Sequence, residues 1–104
     1  MKITRIEGHQ IETMRAYGFA SGHVILKVHV DDGPIGLGEA SDSRCEDLPA
    51  LIKQYNDLLV GSDATAITEI NERLGAHNFN STVSNNHCVS AIDLALYDLN
   101  GKAL

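Results

Sequence analysis

The hydrophobic pattern of this chain changes period once, near residue 42, and that change limits what it can fold into. Ahead of it apolar residues tend to alternate; beyond it they recur at helical spacing. Alternation sends successive side chains to opposite faces of a strand, whereas the longer spacing lines one face of a helix. Strands gathered in one half and helices in the other define an α+β domain, a small antiparallel sheet packed against helices.

The first half predicts three strands. Ile3 to Thr13 is the first, with Ile3, Ile6 and Ile11 as its apolar members, spaced unevenly enough to leave room for a bulge. His23 to Asp31 is the second. Val24, Leu26, Val28 and Val30 share one face, and Ile25, Lys27 and His29 the other. Asp31-Asp32-Gly33-Pro34 is a turn signal, and Ile35 to Ala40 completes a hairpin. Ile35 and Leu37 share a face there, and Glu39 is read as pointing inward. The glycines of GPIGLG precede a strand rather than a helix, so they do not form a phosphate-binding turn.

The second half predicts three helices. Ser43 and Glu46 have capping-box spacing. Leu48, Leu51, Ile52, Tyr55, Leu58 and Leu59 follow as an apolar stripe. Pro49 is tolerated only in a first turn. Gly61 ends this helix and Asp63 can cap the next, whose stripe is Ala66, Ile67, Ile70 and Leu74, with Gly75 as its stop. Residues 76–86 are small and polar and read as a loop. The last helix starts at about His87, with Val89, Ile92, Ala95, Leu96 and Leu99 on one face. The expected fold is one domain, residues 1–104: a three-stranded antiparallel meander followed by a three-helix bundle.

Several function classes are disfavoured. A net charge of −6 opposes nucleic-acid binding, which needs a basic face. No run approaches the roughly 20 apolar residues of a membrane span, and the charged N-terminal stretch does not resemble a secretory leader. Cys45 and Cys88 lie far apart, as expected of reduced thiols in the cytoplasm. The five histidines show no metal-ligand spacing; His87 and Cys88 are adjacent and would diverge on a helix. No nucleophile–base pair or paired carboxylates can be assembled, so no catalytic residue and no cofactor are assigned to the chain itself.

Four stretches carry a more specific signal: MKITRIE, DDGPIGLGEA, LLVGSDATAI and AIDLALYDLNGKAL. Together they resemble the N-terminal capping domain of the mandelate racemase/muconate lactonizing enzyme family, within the enolase superfamily. The last is the most specific: Ala91, Asp93, Ala95, Leu96, Tyr97, Asp98, Lys102 and Ala103 fit the family pattern, with Tyr97 where tryptophan is usual. The resemblance implies a lid that works with a catalytic (β/α) barrel, and the barrel is expected to be missing from this chain. It implies magnesium for the full-length parent enzyme, a racemase, epimerase, cycloisomerase or sugar-acid dehydratase acting on a small carboxylate. The 104 residues are expected to be inactive alone and to self-associate through the apolar surface a barrel would cover.

The resemblance also directs attention to two loops. Residues 14–22 carry Arg15, Tyr17 and Phe19, read either as a flap over an organic acid, with Arg15 as carboxylate partner, or as an ordinary surface loop. Residues 40–47 carry Arg44, whose role stays open, beside Ser43, read as a helix cap. The family uses the Glu39 position structurally, and Lys102 is expected to pair with Asp98 four residues earlier. A different reading is a stand-alone binding or interaction module that reuses the lid fold.

Overall fold

The computed structural model describes residues 1–14, 20–41, 47–76 and 83–104. Strands β1 (Ile3–Met14), β2 (Ala20–Val30) and β3 (Gly36–Ser41) are followed by helices α1 (Leu48–Leu59), α2 (Ile67–Ala76) and α3 (Val83–Ala103). The sheet is antiparallel in the order β1-β2-β3. This is the expected α+β architecture. The irregularity expected in β1 is a register shift between Ile3 and Arg5.

One face of the sheet is covered by helices. Ile3, Ile6, Val24, Leu26 and Val28 are buried there with Leu51, Tyr55 and Leu59 of α1, Ile70 and Leu74 of α2, and Ile92, Leu96 and Leu99 of α3. Helix α1 lies chiefly on β1, and α3 on β3 and β2. Each stripe read from the sequence therefore faces this core, and burial of such side chains contributes roughly 1.5–3 kcal/mol apiece. After α1 the chain turns through Gly61 at φ +91°, a left-handed conformation that glycine adopts without strain.

Four boundaries or faces differ from expectation. Helix α1 starts at Leu48 with Asp47 at its N-cap and Pro49 in the first turn; Ser43, the expected cap, and Glu46 lie outside the described residues. Helix α3 begins at Val83, a turn before His87, because serine and asparagine suit a helix's first turn as well as a loop. Helix α2 runs through Gly75 to Ala76. In β3 the buried face belongs to Gly36, Gly38 and Ala40, while Ile35, Leu37 and Glu39 are exposed. Glu39 is therefore not an inward carboxylate. Helix α3 approaches β3 so closely that only minimal side chains fit between them: a β-carbon on Gly36 or Gly38 would overlap the carbonyl oxygen of Ala95 or Ala91.

Asp63 sits one turn ahead of α2, where its Oδ1 accepts the Thr65 N–H at 3.0 Å and the Thr65 hydroxyl at 2.8 Å. These bonds hold its carboxyl below the usual carboxylate range, the backbone N–H contributing most.

Candidate functional site

The strand pairing brings the roots of the two candidate loops together. Met14 pairs with Ala20, closing residues 15–19, and His23 pairs with Ser41, from which residues 42–46 depart. Both loops thus leave the same end of the sheet. Because β3 runs antiparallel to α3, with Gly38 over Ala91 and Gly36 over Ala95, this is also the end at which α3 starts. Just inside it, His23 Nδ1 lies 3.0 Å from Glu39 Oε1 on the outer sheet face. Arg15, Tyr17, Phe19 and Arg44 themselves lie outside the described residues.

At the far end of β3, helix α3 reaches around the sheet edge. Asp98 Oδ2 accepts the Leu37 N–H at 2.9 Å and lies 2.7 Å from Lys102 Nζ, and Lys102 donates to the Ile35 carbonyl at 3.0 Å. The expected Asp98–Lys102 pair is present, and it also clamps a strand. Lys102 first, and then the Leu37 N–H, hold the Asp98 carboxyl below its ordinary value. Pro34, Ile35, Leu37, Lys27 and Lys102 line an open groove of about 410 Å³ beside it.

The outer sheet face holds a cluster that the linear sequence did not reveal. Glu7 Oε1 lies 2.5 Å from both His29 Nε2 and Arg5 Nη2, and its Oε2 lies 3.1 Å from His9 Nε2. Hydrogen bonds from His9 and His29, aided by Arg5, lower the Glu7 carboxyl below its usual range. Arg5, Glu7 and His9 alternate along β1, but His29 joins them only through the β1–β2 register. With a guanidinium on the same carboxylate oxygen, the cluster is unsuited to a cation. Among the described residues, no group of His, Cys, Asp or Glu side chains is placed to hold a metal ion. None of the described helices is long and apolar enough to cross a membrane.

Helix α3 also presents apolar residues outward. Leu94 is 54% exposed and Tyr97 62%, and their spacing of three places them on one face, opposite the buried Ile92, Leu96 and Leu99. Together they form a small apolar surface on a helix already packed on its other side.

Together with the match to a family model and to a solved structure, this fold makes the chain an N-terminal capping domain of the enolase superfamily. The chain belongs to the mandelate racemase/muconate lactonizing enzyme family, whose N-terminal domain matches residues 9–104. A D-galactonate dehydratase of Pectobacterium atrosepticum is 30% identical over the whole chain, which spans 26% of that relative. Muconate lactonizing enzyme from Pseudomonas putida superposes with a TM-score of 0.84 at 25% identity, over 98% of this chain and 30% of its own. A racemase from Streptomyces coelicolor A3(2) with bound magnesium superposes at 0.77 and 21% identity, over 95% of this chain and 32% of its own. The chain therefore spans about a quarter to a third of the relatives it matches.

Proposed function

We propose that this chain is the lid of an enolase-superfamily enzyme that removes the proton next to a substrate carboxylate, with sugar-acid dehydration as the favoured reaction. The convergence of two loop roots at one end of the sheet carries this reading, because a lid needs two segments that reach one substrate. The D-galactonate dehydratase relative supports the sugar-acid class.

In this reading Arg15 pairs with the substrate carboxylate, a charge-assisted contact that fixes its orientation. Tyr17 and Phe19 exclude water when the first loop closes, and Arg44 contributes from the second. The acid/base groups and magnesium belong to a barrel against which the Leu94–Tyr97 face packs. Magnesium held there would supply Lewis-acid stabilisation of the charge that develops as the proton leaves; the described residues of this chain do not fit it. The chain is inactive without that barrel and, left uncovered, self-associates through the same face. A cytoplasmic setting accords with a buried, reduced cysteine at Cys88.

A chimera tests the loops, with this chain replacing the matching N-terminal quarter of the Pectobacterium atrosepticum dehydratase. Arg15→Ala is expected to raise KM for a sugar acid by at least about tenfold, the loss of one charge-assisted contact worth roughly 1.5–3 kcal/mol. Unchanged KM in both Arg15→Ala and Arg44→Ala would remove the loops from substrate recognition.

A further inference from the structure

Helix side chains bond part of each edge of the sheet where a neighbouring strand would pair, and at Ile3 the backbone of Gly61 and Ser62 does the same for β1. On the β1 edge, the Asn56 amide of α1 accepts the Ile6 N–H at 2.9 Å and donates to the Ile6 carbonyl at 2.8 Å. On the β3 edge, Asp98 takes the Leu37 N–H and Lys102 donates to the Ile35 carbonyl. An open edge is a row of unpaired donors and acceptors, a template for another chain. Here an acceptor and a donor from α1, and again from α3, occupy part of each row.

We infer that Asn56, Asp98 and Lys102 are strand mimics that keep this sheet from growing, and that β3, relieved of its guard, pairs with β3 of a second copy. The occupant follows from the side chains on that edge. An antiparallel pair centred on Leu37 sets Leu37 against its own copy and Ile35 against Glu39, so no like charges meet. Leu37, already 47% exposed, would cover its own copy, and Ile35, 43% exposed, would lie against the stem of Glu39. The inference is independent of the lid assignment, since it concerns the sheet edge alone.

The test uses the full chain carrying Leu94→Lys and Tyr97→Lys, so that association through the outer face of α3 is removed. Adding Asp98→Ala and Lys102→Ala is expected to tighten self-association at least about tenfold in sedimentation velocity, as one or two new edge hydrogen bonds per copy would. The Leu37 amide should exchange faster in the monomer and slow again in the dimer. Glu39→Pro, which removes an edge N–H, should abolish the dimer. A folded variant that stays monomeric, or a dimer indifferent to Glu39→Pro, overturns the inference. Should the paired change cost the fold, Lys102→Ala alone leaves the Asp98–Leu37 bond and should give a weaker dimer with the same proline sensitivity; no dimer there overturns it equally.

Discussion

Gly38 lies over the carbonyl oxygen of Ala91, so close that any β-carbon at residue 38 would overlap it. Gly36 stands over Ala95 in the same way, and the two glycines form a track on which α3 rests. The contact sets the height of the helix above the sheet, and so the reach of Asp98 and Lys102 to the β3 edge. It joins the GPIGLG stretch and the AIDLALYDLNGKAL stretch as the two halves of one interface.

Gly38→Ala should therefore destabilise the domain by about 3 kcal/mol, the upper range for overpacking, because backbone must move and no flexible side chain can yield. Urea unfolding measures it. Gly75→Ala is the control. It is helical and exposed, with nothing near its added methyl group, and should stabilise by up to about 1 kcal/mol. Equal midpoints for the two variants would mean that the track is not tight.

Asn56→Ala should cost about 1–3 kcal/mol, since it leaves the partly buried N–H and carbonyl of Ile6 without this partner. Amide exchange at Ile6 should accelerate with it. Asn56→Asp keeps an acceptor but loses the donor, so the Ile6 N–H should stay protected while stability still falls. Loss of protection in both variants would place the effect in α1 rather than at the strand edge.

The Glu7 cluster gives a pH dependence with a definite sign. The folded-state carboxyl lies below its ordinary 4.5, chiefly through His9 and His29. A depressed carboxyl contributes stability that is present above 4.5 and is lost as pH falls through the folded-state value. Stability curves of the unmodified chain and Glu7→Gln should therefore differ near neutrality and draw together in acid. A gap that persists unchanged below the folded-state value would assign the effect to packing.

The fold was legible because each half of the chain repeats one period, and each helical stripe faces the core it predicted. β3 misled for a physical reason. Periodicity marks Ile35 and Leu37 as a face, yet glycine has no hydrophobic signal with which to mark the face that is buried. The polar first turn of α3 was hidden by the double use of serine and asparagine. The Asp98–Lys102 pair could be read from its spacing along one helix, whereas its bonds to Leu37 and Ile35, and the meeting of Glu7 with His29, depend on tertiary approach and strand register. The positions of the loop roots likewise required the pairing of Met14 with Ala20 and His23 with Ser41.

Leu94→Lys and Tyr97→Lys, at exposed positions, should each change stability of the isolated chain by no more than about 0.5 kcal/mol while suppressing its self-association in gel filtration. Association that survives both changes would locate the sticky surface elsewhere.

The lid assignment is tested most directly by deuterium wash-in next to the carboxylate of a sugar acid, catalysed by the chimera with the Pectobacterium atrosepticum dehydratase. Exchange is predicted for the parent chimera with magnesium, and at least about tenfold less when Leu94→Lys and Tyr97→Lys break the packing of α3 on the barrel, a loss of some 1.4 kcal/mol. Undiminished exchange in the lysine chimera, or none in a folded parent chimera on any acid the dehydratase accepts, would contradict it.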